Sequence, residues 1–213
     1  MCFIHKVCNV IALIMKITAS KEEKLMTLPG DDFILNVKDR VTFAINIMSS
    51  PQLIFPWIKQ MGCQRGGWYS YDKLDNGGKP SAREIIHKFQ EVKFGDFFPA
   101  RPNDPPGTGF KVSGIKENEH LVLTTFSKLP SFEPVENSEQ PNNFWKTTWT
   151  FFLKKEGVNK TRLIVRNNIG FEPSWISIIS NLIAKPLHYI MQKRQLTNIK
   201  TRIEKQNTAH NNV

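Results

Sequence analysis

What the sequence has little of narrows the field before any motif is read. Cysteine is scarce: Cys2, Cys8 and Cys63 are odd in number and irregularly spaced, which excludes a disulfide framework and fits a reducing, cytoplasmic compartment. No apolar run is long enough to cross a bilayer. The best, residues 7–15 (VCNVIALIM), is nine long and broken by Asn9, where about 20 are needed. As a signal or anchor, the source of an alternative membrane-associated location, it is weaker than as an N-terminal extension. Acidic residues are few: 19 Asp and Glu face 29 Lys and Arg, a net charge of +10. Aromatic residues, by contrast, are 11% of the chain, which excludes disorder throughout.

Chemical signatures are also missing. None of His5, His87, His120, His188 and His210 pairs with another ligand at a metal-binding spacing, and no nucleophile elbow occurs. Pro105-Pro106-Gly107-Thr108-Gly109 imitates the middle of a phosphate loop, but Phe110 stands where its lysine belongs. Cys63 beside Arg65 has the surroundings of a low-pKa thiol, yet no base accompanies it. No cofactor, metal or catalytic residue is assigned.

The 213 residues divide into a weakly hydrophobic extension (1–17), one domain (18–205) and a polar tail expected to be disordered (206–213). Ser20-Lys21-Glu22-Glu23 is a capping box that starts a short helix. Residues 41–47 alternate as a strand, and Ser50-Pro51 opens a helix over 51–61 with Leu53, Ile54, Trp57, Ile58 and Met61 on one stripe. A helical turn is expected at 81–87, and strands at 91–98, 109–115, 120–126, 144–155 and 161–169. Residues 173–204 read as helix, interrupted at Pro186. The 17-residue stretch 127–143 reads as a surface insertion more readily than as a lid over a cavity. Consecutive strands followed by one long helix predict an α+β domain, an antiparallel sheet with that helix covering one face and a hollow between them.

The densest chemistry is residues 57–72 (WIKQMGCQRGGWYSYD), where glycines, aromatic rings, an amide and a guanidinium share a helix-to-loop transition. Such mixtures line pockets, although Arg65 and Asp72 bracing a loop over a core explains them equally well.

At this point the sequence resembles the SRPBCC (START-like, polyketide cyclase/dehydrase-like) superfamily. Leu28-Pro29-Gly30-Asp31-Asp32 resembles its "LPGD" entry to the first strand, and residues 55–62 (FPWIKQMG) its "WPWLxQMG". Residues 65–72 (RGGWYSYD) are similar to "RGGxYSYD", Gly95-Asp96 to "VGD", Trp149-Thr150-Phe151 to "WxF" and residues 161–166 to "TRLIVR". Residues 191–204 resemble the terminal "MExxMLxxIKxRAE" helix. The resemblance spans about 18–204 and implies a helix-grip fold around a hydrophobic cavity; it does not choose among lipid carriers, receptors and cyclases.

The resulting expectation is a carrier or sensor for a hydrophobic small molecule such as a lipid, isoprenoid or polyketide-like compound. Gln60, Arg65, Tyr69 and Tyr71 from the dense segment, with Trp149 and Arg166 from the strands, are the candidate binding residues. Strand phase decides the last two: if the apolar face lines the hollow, Arg166 points to solvent. The alternative is a cyclase- or aromatase-type enzyme steering a proton with a tyrosine, Asp72 or Arg65, although the sequence offers no acid–base pair. A third reading is surface binding by cations. Residues 154–166 hold five cations and Glu156, and residues 185–205 hold six and Glu204, so these stretches carry nearly all the net charge. Peripheral contact of the C-terminal basic helix with an anionic membrane ranks above nucleic-acid binding, and below plain solvation of the cations.

Overall fold

The structure, a computed structural model, describes residues 17–131, 133–135 and 141–210. The extension before residue 17, the middle of the 127–143 stretch and the last three residues lie outside it.

Six strands form one antiparallel sheet: β1 (Asp39–Ile47), β2 (Phe97–Phe98), β3 (Phe110–Lys116), β4 (His120–Lys128), β5 (Phe144–Gly157) and β6 (Lys160–Glu172). Their order is β1-β6-β5-β4-β3-β2. Alternation decides the faces. Phe43, Ile45 and Ile47 of β1, Phe151 and Leu153 of β5, and Leu163 and Val165 of β6 turn inward. Three short helices, α1 (Lys21–Leu25), α2 (Pro51–Lys59) and α3 (Asp72–Asp75), precede the run of strands. The chain ends in α4 (Ile176–Ile179), a π-helical turn (Ser180–Ala184) and the 26-residue α5 (Lys185–His210). Pro186 explains the break. It has no N–H for the Leu182 carbonyl and its ring crowds that turn, so the helix widens just before it. The long helix lies over the inner face, burying Leu196, Ile199 and Ile203 with Ile54, Trp57, Ile58 and Met61 of the α2 region. This is the helix-grip architecture. Among the described residues, no helix is long and apolar enough to cross a membrane.

Some local expectations change. Leu53 is exposed, and Phe55 takes its place in the core. Residues 81–86 are irregular because their polar groups serve the neighbouring loop: Ile86 N–H donates to Gln60 Oε1 (2.8 Å), and the Glu84 carbonyl accepts from Gln60 Nε2 (3.1 Å). The stretch 91–98 is strand only at its last two residues, since Asp96 turns back to accept from the Lys93 N–H (2.7 Å). The terminal helix continues past residue 205 to His210.

The outer face is covered by the chain's own N-terminal segment. The Ser20 capping box forms as read, and Ala19 and Leu28 pack on Ala44 and Ile164. Beneath them Arg166, fully buried, donates to Asp31 Oδ2 (2.6 Å) and to the Met26 (2.7 Å) and Glu23 (2.6 Å) carbonyls. Asn168 bridges Asp31 Oδ1 (3.0 Å) and Thr148 Oγ1 (3.1 Å). Burial opposes charge on Asp31, yet the bonds from Asn168 and the Leu28 N–H, with the Arg166 guanidinium, hold its carboxyl below the usual range.

Candidate functional site

Two adjoining hollows, of about 170 and 310 Å³, lie between the inner sheet face and the first half of the C-terminal helical segment. Phe110, Trp149, His188 and Met191 form the wall they share. The smaller hollow adds Trp68, Ser70, Asp75 and Gln192; the larger adds Val41, Thr147, Asn167 and Ser180. Trp149 is the centre of an aromatic stack. Its ring lies 5.3 Å from Trp68, 5.6 Å from Phe110 and 5.0 Å from Phe151.

The walls are mostly apolar, but a set of polar atoms is buried in them. Trp149 Nε1, Asn167 Oδ1, Ser180 Oγ, His188 Nε2, Gln192 Oε1 and Asp75 Oδ1 make no hydrogen bond within the protein. Asn167 is the one polar side chain among Leu163, Val165 and Ile169 on the inward row of β6, directly across from Trp149. Burial pushes His188 down to about 4, partly opposed by the Asp39 charge, so its imidazole is neutral at pH 7. Burial, reinforced by the nearby Asp72 charge, pushes Asp75 up to about 6 against a hydrogen bond from Ser70. Lys185 closes the rim by pairing with Asp39 (2.8 Å).

The dense segment reaches this site in a different phase from the expected one. Trp68 and Ser70 turn toward the hollow; Tyr69 and Tyr71, their alternates, do not. Tyr69 is fully buried on the other side of the loop, where its hydroxyl accepts from Gln60 Nε2 (2.6 Å) and its ring meets Trp57 edge-on. Burial raises its phenol far above the ordinary range, which leaves it protonated. Tyr71 is on the surface, 40% exposed under the Arg194 guanidinium. Gln60 spends its amide on Tyr69, Glu84 and Ile86.

Arg65 caps the end of α2, donating to the Met61 (3.0 Å) and Lys59 (2.8 Å) carbonyls between the Phe89 and Phe98 rings. Burial brings it down to about 10. Asp72 braces the same loop, accepting from Ser81 Oγ (2.5 Å). The paired glycines are required here: a Cβ on Gly66 would lie 2.8 Å from the Gln60 carbonyl, and one on Gly67 would collide with Ser81 Oγ. Thus Trp149 lines the hollow, whereas Gln60, Arg65 and Tyr69 shape the loop beside it.

Arg166 is a correction of another kind. It faces neither the hollow nor solvent, because the N-terminal segment supplies acceptors that bury it on the outer face. Cys63 is a structural thiol, in keeping with the absence of a base beside it. Burial raises its thiol to about 11, and Sγ donates to the Asp75 (2.8 Å) and Ala100 (3.3 Å) carbonyls. The hollow residues passed over were Asn167, Ser180, His188 and Gln192. Their signals were a lone polar residue in an apolar alternation, and small or polar residues at helical spacing.

The two basic stretches do meet, at Asn46. Lys200 donates to its backbone carbonyl (2.9 Å) and Arg162 to its side chain (3.2 Å). Both are also paired, Lys200 with Glu204 and Arg162 with Glu23.

The strand order and the terminal helix closing on the inner face are the helix-grip arrangement that the resemblance to the SRPBCC, START-like superfamily implies. No protein-family model matches the chain, and no curated protein matches its sequence. Among solved structures it is similar to a conserved protein from Geobacillus kaustophilus, at 12% identity and a TM-score of 0.43, covering 78% of this chain and 96% of the other. A START superfamily protein from Mycobacterium smegmatis matches at 13% identity and 0.32, over 78% and 98% of the two chains. A norcoclaurine synthase point mutant from Thalictrum flavum, in complex with a transition-state analogue, matches at 11% and 0.33, over 82% and 99%. No residue role or activity passes from them to this chain.

Proposed function

We propose that this protein binds a hydrophobic small molecule bearing at least one polar group, as a carrier or sensor, in the joined hollows around Trp149. The observation that carries the reading is the row of buried, unpartnered polar atoms in an aromatic wall. Each such atom costs about 1–3 kcal/mol unless something bonds to it. A ligand with a hydroxyl or carbonyl would bond to some of them while its apolar body contributes roughly 25 cal/mol per Å² buried. Volumes of about 170 and 310 Å³ put the hollow at the small end of ligand pockets, which suits a compact ring system better than a two-tailed lipid. Neutral His188 offers one donor and one acceptor, and Trp149 Nε1 a donor. Trp149 is kept from the original binding set; Gln60, Arg65 and Tyr69 support the wall from behind. Three cysteines without a framework favour a cytoplasmic setting.

The test is uptake of 1-naphthol, followed by quenching of tryptophan fluorescence, together with native mass spectrometry of freshly purified protein. Saturable uptake that falls about tenfold in Asn167→Leu is expected. Apo protein alone in the mass spectra, with no saturable uptake, overturns the reading.

A second reading, an enzyme of the cyclase or aromatase kind, has one observation in its favour. Asp75, pushed up to about 6, is a carboxyl suited to proton transfer at the edge of the hollow. Compound recovered unchanged from both wild type and Asp75→Asn removes it; alteration by wild type alone supports it.

A further inference from the structure

The helical segment over the hollow is apolar on the wrong side. The positions it turns to the hollow are Ser180, Ala184, Leu187, His188, Met191 and Gln192, a mixed set, while Trp175 (60% exposed), Ile178 (61%), Leu182 (72%), Ile183 (63%) and Ile190 (51%) stand in water. Monomeric soluble proteins rarely leave an apolar patch larger than a few hundred Å² uncovered. From Pro173 to Ile203 the chain has no acidic residue, whereas Lys185, Lys193, Arg194, Lys200 and Arg202 lie within it.

We infer that the outward face of residues 175–190 docks on an anionic lipid bilayer, with its apolar side chains entering the headgroup boundary. An amphipathic helix bordered by cations lies in that interface, and Trp175 is a ring of the kind that settles there. Arg194 is exposed on the next turn and adds attraction to anionic headgroups. A second copy of the chain is the poorer occupant, because it would bring two +10 molecules together along helical segments that carry no acidic residue of their own.

Leu187 lies in the wall of the larger hollow and is itself 46% exposed, so the mouth opens beside the patch. On the ligand-binding reading above, cargo would pass between bilayer and hollow without crossing water. The docking itself does not depend on that reading.

The experiment is flotation of the full chain with phosphatidylcholine vesicles containing 30% phosphatidylglycerol, against pure phosphatidylcholine, at low salt. Binding to the anionic vesicles is expected, with quenching by brominated lipid that disappears in Trp175→Phe. Leu182→Asp with Ile183→Asp should weaken binding at least tenfold, and Lys193→Glu with Arg194→Glu severalfold, both with unchanged thermal melting. No flotation of wild type, or flotation indifferent to the Leu182/Ile183 pair, overturns the proposal. So does a concentration-dependent dimer in sedimentation that the same pair abolishes. Failure of 1-naphthol uptake with flotation intact would sink the ligand reading alone.

Discussion

The two halves of the C-terminal helical segment present opposite chemistries to one sheet. Beyond residue 193 the arrangement is the ordinary one: Leu196, Ile199 and Ile203 are buried to 1% exposure or less, and Lys200 and Glu204 pair at the edge. Before residue 193 it is inverted, with Ser180 and Gln192 buried and Leu182 and Ile183 in water. The sheet beneath explains the difference. Under the second half, Ile45, Ile47, Ile54 and Met61 fill the space; under the first lie Thr147, Trp149 and Asn167 around the hollow. One half of the helix holds the domain together, and the other roofs a cavity.

Residues 166–168 draw the same contrast across the sheet. Arg166 and Asn168 point outward into a fully bonded network, while Asn167 points inward with Oδ1 unpaired. The largest expected effect therefore lies outside. Arg166→Leu strands Asp31 and should cost about 3–5 kcal/mol in denaturant unfolding. Ile199→Ala, in the close-packed half, should cost about 2–5 kcal/mol by the same measurement.

Asn167→Leu should behave in the opposite way, raising stability by about 1–3 kcal/mol while weakening 1-naphthol uptake. A loss of stability there would show its side-chain oxygen to be paired after all and would break the comparison.

The pH dependence sharpens it. His188 titrates near 4 folded against 6.5 unfolded, so the unfolded chain binds more protons between those values and stability rises with pH across that window. Asp75, near 6 folded against 3.8 unfolded, has the opposite slope between 3.8 and 6. Wild type should show a shallow net profile in thermal melts from pH 4 to 6.5. In His188→Gln, stability should fall with rising pH over the Asp75 window. The smallest effect is Ile183→Ala, on the exposed side of the inverted half, which should stay within about 0.5 kcal/mol.

Much of the fold was legible because strand period, cap chemistry and proline position are local. The alternation of Phe43, Ile45 and Ile47, and that of Trp149, Phe151 and Leu153, assigned the inner face correctly. The site was less legible. Tyr69 takes a left-handed backbone (φ 60°), which no local pattern announces, so Trp68 and Ser70 enter the hollow where Tyr69 and Tyr71 were expected. Arg166 could not be placed because its acceptors, Asp31 and the Met26 and Glu23 carbonyls, lie some 135–143 residues away in the chain.

The sequence alone determined that a basic, cysteine-poor, aromatic-rich chain would form an antiparallel sheet closed by a long helix, since these follow from composition and short-range periodicity. Only the tertiary structure decided that the first half of that helix would turn its polar residues inward. Burial depends on what lies opposite, and no local pattern says whether a helix covers a packed core or roofs a hollow.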